Sequence, residues 1–306
     1  MTLTMNPAID IASSTGQVRP TDKMRCAAPR FDPGGGGINV ARTVAALGEP
    51  VRAVFPVGGP SGALLAELVR DAGVPARTVE VAGATRESLA ITDTSCGAQY
   101  RFVFPGPRLT APEQHRCLAA VERAAQGARF VVASGSLPPG VAVDFYQQLA
   151  ELLTDLGIRL ILDTSGAPLR AVRGGVHLVK PSVRELAEYA GHPLPDRAAQ
   201  LAAARALIAA GVSEIVVLSL GAEGALAITA AGAEYFAPIP VTVRSGIGAG
   251  DAMVGGISVG LLRDYALSDA VRLGIAAATA ALGTQGTGPG HPARIAELFS
   301  AAAPVR

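Results

Sequence analysis

The 306-residue sequence contains no tryptophan and only three cysteines, Cys26, Cys96 and Cys117. An odd count without a Cys-x-x-Cys pair supports neither a disulfide framework nor a zinc site, and it fits a reducing compartment. Neither sign of charge is in excess: 26 basic residues against 25 acidic ones leave a net +1. That balance offers no support for a nucleic-acid or polyanion surface, although local basic residues can still hold a small phosphate. The longest apolar stretches, near 252–262 and 275–283, are too short to span a bilayer and contain glycine. No basic-then-apolar leader opens the sequence, so a cytoplasmic location without membrane attachment is expected. There is no internal repeat and no low-complexity linker, and a single domain over 1–306 is the simplest description.

What is present is a large supply of core residues, 49% of the sequence being hydrophobic. Short apolar runs at 51–57, 129–134, 159–164, 176–180 and 214–220 have the length and continuity of strands buried on both faces. Ala/Leu-rich segments between them predict helices over 38–47, 61–72, 112–125, 143–156, 183–190 and 196–210. Three more are expected at 250–262, 267–282 and 292–301. Strand followed by helix, repeated, predicts an α/β fold with a mostly parallel sheet sandwiched by helices. Two segments break the rhythm, about 9–31 and 87–104. They are expected to form a small inserted β-sheet that acts as a lid, ordinary edge strands being the alternative.

Three glycine-rich stretches carry the chemistry. "GIGAGD" (246–251) runs directly into an apolar helical segment. Glycines that open a helix aim several N–H groups at one spot, where the helix dipole favours negative charge. Asp251 follows at once, placed to take a proton from a hydroxyl beside that anion pocket, or simply to stabilise the helix start. "PGGGGINVAR" (33–42) is a second loop of this type, carrying Asn39 and Arg42 into a helix. It is not a phosphate loop with Gly-Lys-Ser/Thr, nor a dinucleotide fingerprint, because no buried strand precedes it. Two such loops imply a site for two anionic or hydroxylated ligands. "SLGAEGALA" (219–227) is the third, with Ser219 and Gly221 at a strand's carboxyl end, as are Ser134, Ser136 and Asp163. Ligands of open parallel sheets bind at such ends. A rigid turn accounts for much of "SGSLPPG" (134–140).

"PGGGGINVAR", "GSLPPG" and "GAGD", in this order, resemble the ribokinase-like (PfkB) sugar kinases across the whole chain. The opening "TLTMNPAID" (2–10) is similar to the phosphosugar branch, the phosphofructokinases and tagatose-6-phosphate kinases. Glycine at all four positions 34–37, where 1-phosphofructokinases usually carry a lysine, resembles the minor-type bacterial 6-phosphofructokinases. The resemblance implies transfer of the γ-phosphoryl of ATP to the C1 hydroxyl of fructose 6-phosphate. 1-Phosphofructokinase or tagatose-6-phosphate kinase activity is the alternative, and a non-catalytic sugar-phosphate or nucleotide sensor a remote one.

The resemblance also assigns roles. Asp251 is the base, and the amides of Gly248, Ala249 and Gly250 steady the transferring phosphoryl. Asp10, Gly35, Gly36 and Asn39 match sugar-binding positions. Lys23, Arg25 and Arg86 match cations for the substrate's own phosphate, with Ser136 a weaker candidate; Lys23 and Arg25, two apart, would share one face of a strand. Lys180, Ser219, Gly221 and Gly224 match the ATP side. Glu185 matches an acidic residue that organises Mg²⁺ through water, but Ser182 stands where the family commonly has Asn. K⁺ is a further candidate cofactor: "VRSGIG" (243–248) and "LGTQGTG" (282–288) occupy the places of a monovalent-cation site, without an obvious acidic ligand and with Gln285 near the usual Asn. Expected partners are the phosphosugar and ATP, with no nucleic acid or membrane, and a homodimer formed through the lid. The first strand of the family ordinarily starts a few residues earlier. A short strand or a start site placed late accounts for this, and a weaker sheet edge is the expected consequence.

Overall fold

The computed structural model describes residues 1–284 and 286–301. Strands β1 (Thr2–Leu3), β2 (Ala8–Thr15) and β3 (Arg30–Gly34) lead into helix α1 (Gly36–Ala46), then β4 (Ala53–Val57), α2 (Gly59–Asp71) and β5 (Ala76–Glu80). A hairpin, β6 (Arg86–Asp93) and β7 (Gln99–Val103), precedes α3 (Ala111–Ala124), β8 (Phe130–Ser134), α4 (Phe145–Asp155) and β9 (Arg159–Asp163). There follow α5 (Gly166–Arg170), β10 (Val176–Val179), α6 (Val183–Ala190), α7 (Arg197–Ala209) and β11 (Ser213–Ser219). The described residues end with β12 (Ala225–Thr229), β13 (Gly232–Phe236), α8 (Ala249–Leu262), α9 (Leu267–Leu282) and α10 (Pro292–Ala301).

Among the described residues nine strands form the main sheet, in the order β13-β12-β11-β10-β9-β8-β1-β4-β5. All neighbours from β11 to β5 are parallel, while β12 and β13 complete one edge as an antiparallel hairpin. The parallel strands read as apolar runs because helices cover both faces. Along β9, Leu160 and Leu162 enter one core and Ile161 the other. The first core packs α3, α4 and α7; the second packs α8, α9 and α10. The edge hairpin, β5 and the short α5 were not anticipated: β5 is mostly exposed and α5 is five residues long, so neither has the periodicity that betrays an element.

The expectation of a weakened sheet edge is corrected. The two-residue β1 lies inside the sheet, pairing with β4 on one side and β8 on the other. From it the chain winds outward to β4 and β5, then returns to β8 and winds the other way. The switch point therefore falls between β1 and β8, where ligands of open α/β sheets bind.

A second sheet, in the order β3-β2-β6-β7, stands apart from the first. Register alternates its faces. Phe31, Ile11, Leu89 and Phe102 align across it as one apolar row, whereas Asp32, Asp10 and Ser88 align on the opposite face. Residues 16–29 form no strand, so Lys23 and Arg25 do not share a strand face as their spacing suggested.

Candidate active site

The two glycine loops open two helices at the switch point. α1 begins so close to the sheet that a Cβ on Gly36 would stand 2.1 Å from Ser134 Oγ, and one on Gly37 would stand 2.4 Å from the Leu3 carbonyl oxygen. The helix thus lies across the carboxyl ends of β8 and β1. A Cβ on Gly34 would fall 2.3 Å from Asp10 Oδ2. The run of four glycines is explained by close approach: side chains there would collide with Asp10, Ser134 or the segment Leu3–Pro7.

α8 starts at Gly248, whose left-handed φ of 79° suits glycine. The first intrahelical bond is Ala252 N–H to the Gly248 carbonyl, 2.8 Å. The amides of Ala249, Gly250 and Asp251 therefore have no partner within the helix and present donors at its positive end. α8 is apolar on nearly every side and buried from Ala252 to Gly260. It lies against α9 at backbone distance, since a Cβ on Gly256 would meet Leu273 O at 2.7 Å and one on Gly260 would meet Ala270 Cα at 2.6 Å. A helix packed this tightly holds its first turn fixed.

Asp251, in that first turn, accepts a hydrogen bond from Asn39 Nδ2 at 2.9 Å and a longer one from Ser134 Oγ at 3.4 Å. Asn39 is held in turn, its Oδ1 accepting from Arg42 Nη1 at 3.4 Å. The same Arg42 nitrogen donates to the Thr287 carbonyl at 2.9 Å and the Thr287 hydroxyl at 3.1 Å. Burial, with the Asp163 carboxylate nearby, pushes Asp251 up to about 7, against the lowering effect of Asn39, Lys180 and Ser134. A carboxylate tuned to that range can exchange a proton at neutral pH.

Lys180, 4% exposed, follows β10 and pairs with Asp163, at the end of β9, at 3.3 Å. Burial pulls the Lys180 ammonium down, but Asp163, Glu185 and Asp251 together pull it further up, and it stays cationic. Burial raises Asp163, opposed by Lys180. A Cβ built on Gly250 would lie 3.7 Å from Lys180 Nζ, so the cation adjoins the amides of α8. Together they form one positive pocket beside a proton acceptor.

Next to it is a 700 Å³ cleft lined by Ser219, Gly221, Gly224, Ala249, Gly250 and Met253, with apolar walls from Ile239, Val243 and Ile275. Ser219 Oγ donates to the Pro181 carbonyl at 3.3 Å. Ser182 caps α6: its hydroxyl donates to Glu185 Oε2 at 2.8 Å and accepts from Glu185 N at 3.3 Å. The capping box explains the serine at this position and commits one Glu185 oxygen to it.

On the other side, Asp10 faces the site from β2. Burial pushes it up to about 6, against the lowering effect of Arg86, Arg101 and Arg42, while Asp32 adds to the rise. Arg86 donates to the carbonyls of Asn6 at 2.9 Å and Phe104 at 3.0 Å. It lines a 640 Å³ cleft with Asn6 and Ser136.

Residues 3–294 match the model of the pfkB family carbohydrate kinases. The chain belongs to this family. Among its members, the kinase is 53% identical over 303 residues to "ATP-dependent 6-phosphofructokinase isozyme 2" of Mycobacterium tuberculosis, covering 99% of this chain and 89% of that one. It is 42% identical over 288 residues to the protein of the same name from Escherichia coli, covering 94% and 93%. Three solved structures of phosphofructokinase-2 from E. coli are similar to it, in complex with potassium, in complex with fructose-6-phosphate, and as a tetrameric inhibited form. Their TM-scores are 0.92, 0.90 and 0.92 at 38%, 38% and 39% identity, each covering 98% of both chains. The ribokinase-like α/β fold expected from the sequence is the fold observed.

In this kinase Asp251, Asn39, Gly36 and the α8 amides converge, joined by Lys180 and, at one remove, Glu185. Arg86 and Ser136 line the 640 Å³ cleft on one side, with Asp10 and Gly35 between it and Asn39, and Ser219, Gly221 and Gly224 line the 700 Å³ cleft on the other. Lys23 and Arg25 are not brought in. The Arg25 carbonyl accepts from Thr15 Oγ1, at the end of β2 opposite Ala8, and Ala8 is the residue that pairs with Arg86. Seven residues of strand, roughly 23 Å, separate the two ends. Ser134, Asp163 and Arg42 belong to the site although only their strand-end or loop positions marked them. Asn6 had no signal beyond its place in "TLTMNPAID". Gln285 lies outside the described residues. Among the described residues no helix is long and apolar enough to cross a membrane.

Proposed function

We propose that the kinase is an ATP-dependent 6-phosphofructokinase of the cytoplasm, acting on fructose 6-phosphate. The observation that carries this is Asp251, held by Asn39 and Ser134 at the mouth of a helix whose free amides adjoin Lys180. The Asp251 carboxylate takes the proton of the C1 hydroxyl. The C1 oxygen bonds to the γ-phosphorus as the bond from that phosphorus to the bridging oxygen breaks, and ADP leaves. The amides of Gly248, Ala249 and Gly250 and the Lys180 ammonium stabilise the charge on the transferring group. The names of the relatives and the fructose-6-phosphate complex of the E. coli protein support the choice of substrate.

Glu185 and Asp163 would hold Mg²⁺ through water, where it would supply positive charge to the phosphates of the nucleotide. K⁺ is proposed for the loops around 243–248 and 282–288, as the potassium complex of the E. coli protein suggests.

The second sheet is proposed as the lid, its Asp10 face toward the sugar. Its other face carries exposed apolar side chains, Phe31 at 43% and Phe102 at 51% among them, and β7 is exposed throughout. An uncovered apolar sheet with a free edge calls for a partner, and a second lid supplies one. A homodimer formed this way would leave Lys23 and Arg25, at the far end of one lid, to serve the partner's sugar phosphate.

A coupled ADP-release assay across hexose phosphates tests the assignment. Fructose 6-phosphate is expected to give the highest kcat/KM; preference for tagatose 6-phosphate or fructose 1-phosphate would select the alternative, and no turnover with any ketohexose phosphate would overturn the reading. A second test addresses Asp10. Gly34→Ala would drive a methyl group into its carboxyl, so KM for fructose 6-phosphate should rise by about 10- to 100-fold with KM for ATP within about twofold. Equal changes in both would separate Asp10 from the sugar.

A further inference from the structure

Asn6 lies at the switch point, after β1, and is 6% exposed. Its side chain and backbone reach two different groups of the 640 Å³ cleft. The amide Nδ2 donates to Ser136 Oγ at 3.1 Å. A hydroxyl oxygen that accepts there has its own proton free to point elsewhere, and away from the amide lies the cleft. The backbone carbonyl of Asn6 accepts from Arg86 Nη2 at 2.9 Å, while the Phe104 carbonyl takes Nη1 at 3.0 Å. Two carbonyls from separate segments thereby fix the guanidinium plane. Arg86 Nε and Asn6 Oδ1 are buried without a protein partner. Of the two, only Arg86 Nε is a donor that a phosphate oxygen can satisfy; Asn6 Oδ1 is an acceptor, as the phosphate is. Gly106 makes the arrangement possible: a Cβ there would stand 2.0 Å from Asn6 Oδ1.

We propose that Asn6 is a positioning residue for the phosphate of the acceptor sugar, its amide aiming the Ser136 hydroxyl into the cleft while its carbonyl holds Arg86 in place. This rests on the phosphosugar reading above. Asn6 acts through Ser136 and Arg86 and need not touch the phosphate. The sugar then spans from Asp251, at the reacting hydroxyl, past Asp10 to this pair at the phosphate end.

A double-mutant cycle tests it. Asn6→Ala removes the amide but keeps the carbonyl that holds Arg86. In the wild-type background it should raise KM for fructose 6-phosphate by about 10-fold, with kcat and KM for ATP within about threefold. In a Ser136→Ala background the same change should have an effect below about twofold, because the hydroxyl it aims is gone. Asn6→Asp, of the same shape, should be worse than Asn6→Ala: its carboxylate accepts the Ser136 proton and repels the phosphate. Should Asn6→Ala not fold, Asn6→Asp in the two backgrounds serves, with a smaller effect expected where Ser136 is absent. Equal effects in both backgrounds, or parallel rises in KM for both substrates, would overturn the proposal while leaving the kinase assignment intact. A wild-type enzyme that turned over no hexose phosphate would remove both.

Discussion

Asp251→Asn is expected to lower kcat by about three to four orders of magnitude, with KM for both substrates changed by less than about fivefold. The replacement has the same shape and can keep contacts with Asn39 and Ser134, so what it removes is the ability to take a proton. The wild-type pH profile should carry the mark of the same group. With Asp251 raised to about 7, kcat/KM should fall with unit slope as the pH drops below 7, since the base must be ionised to act. The residual activity of Asp251→Asn should lack that limb. Stability should move the opposite way. A carboxyl whose folded-state pKa lies above its unfolded value of 3.8 favours folding when protonated and penalises it when ionised. The penalty is absent well below pH 3.8, grows as pH rises from there to 7 and is complete above it. Asp251→Asn should therefore melt higher than wild type at pH 8, and the gain should shrink as pH falls and vanish below about pH 3. A variant that kept its activity, or a profile flat from pH 5 to 8, would exclude Asp251 as the base. The burial that tunes the group is the cause of both effects, so activity at this position is obtained against stability.

The second large effect concerns Lys180. Lys180→Met leaves Asp163 buried without its 3.3 Å partner, near Asp251 and Glu185. Removing one member of a buried pair typically costs about 3–5 kcal/mol. Thermal unfolding should therefore begin roughly 5–8 °C lower. Activity should fall as well, by about two to three orders of magnitude in kcat/KM for ATP, because a cation beside the Gly250 amide is lost. The two losses are separable. Adding Asp163→Leu to Lys180→Met removes the stranded carboxyl, so much of the stability should return while activity does not. If activity returned with stability, Lys180 would be a structural residue only. Differential scanning calorimetry and ATP-dependent kinetics on the single and double variants decide it.

Much of this was legible before the structure. The buried strands 51–57, 129–134, 159–164, 176–180 and 214–220 announce themselves because parallel strands covered on both faces must be apolar throughout. α6 is bounded by its capping box and α7 by the Asp196 cap, and their ends follow from local hydrogen bonding. The glycines of 34–37 and 248–250 pointed to anion sites because few other residues allow backbone to come so close. The exposed strand β5, the five-residue α5 and the edge hairpin β12–β13 carried no such mark. The paired spacing of Lys23 and Arg25 misled, since residues 16–29 have no strand to give that spacing a face.

The sequence by itself determined that this is an α/β protein with two glycine-opened helices, and that Asp251 begins one of them. These are short-range facts, set by periodicity, caps and the absence of side chains. Only the tertiary structure decided that Asn39 and Asp251, 212 residues apart, share a hydrogen bond. It also placed β1 inside the sheet, between β8 and β4, and it tied Asn6 to Ser136 and Arg86. Those contacts join segments whose separation along the chain carries no local signal. They exist because the sheet's winding brings the carboxyl ends of β1 and β8 to one point, and the propensity of any single residue says nothing about which ends will meet.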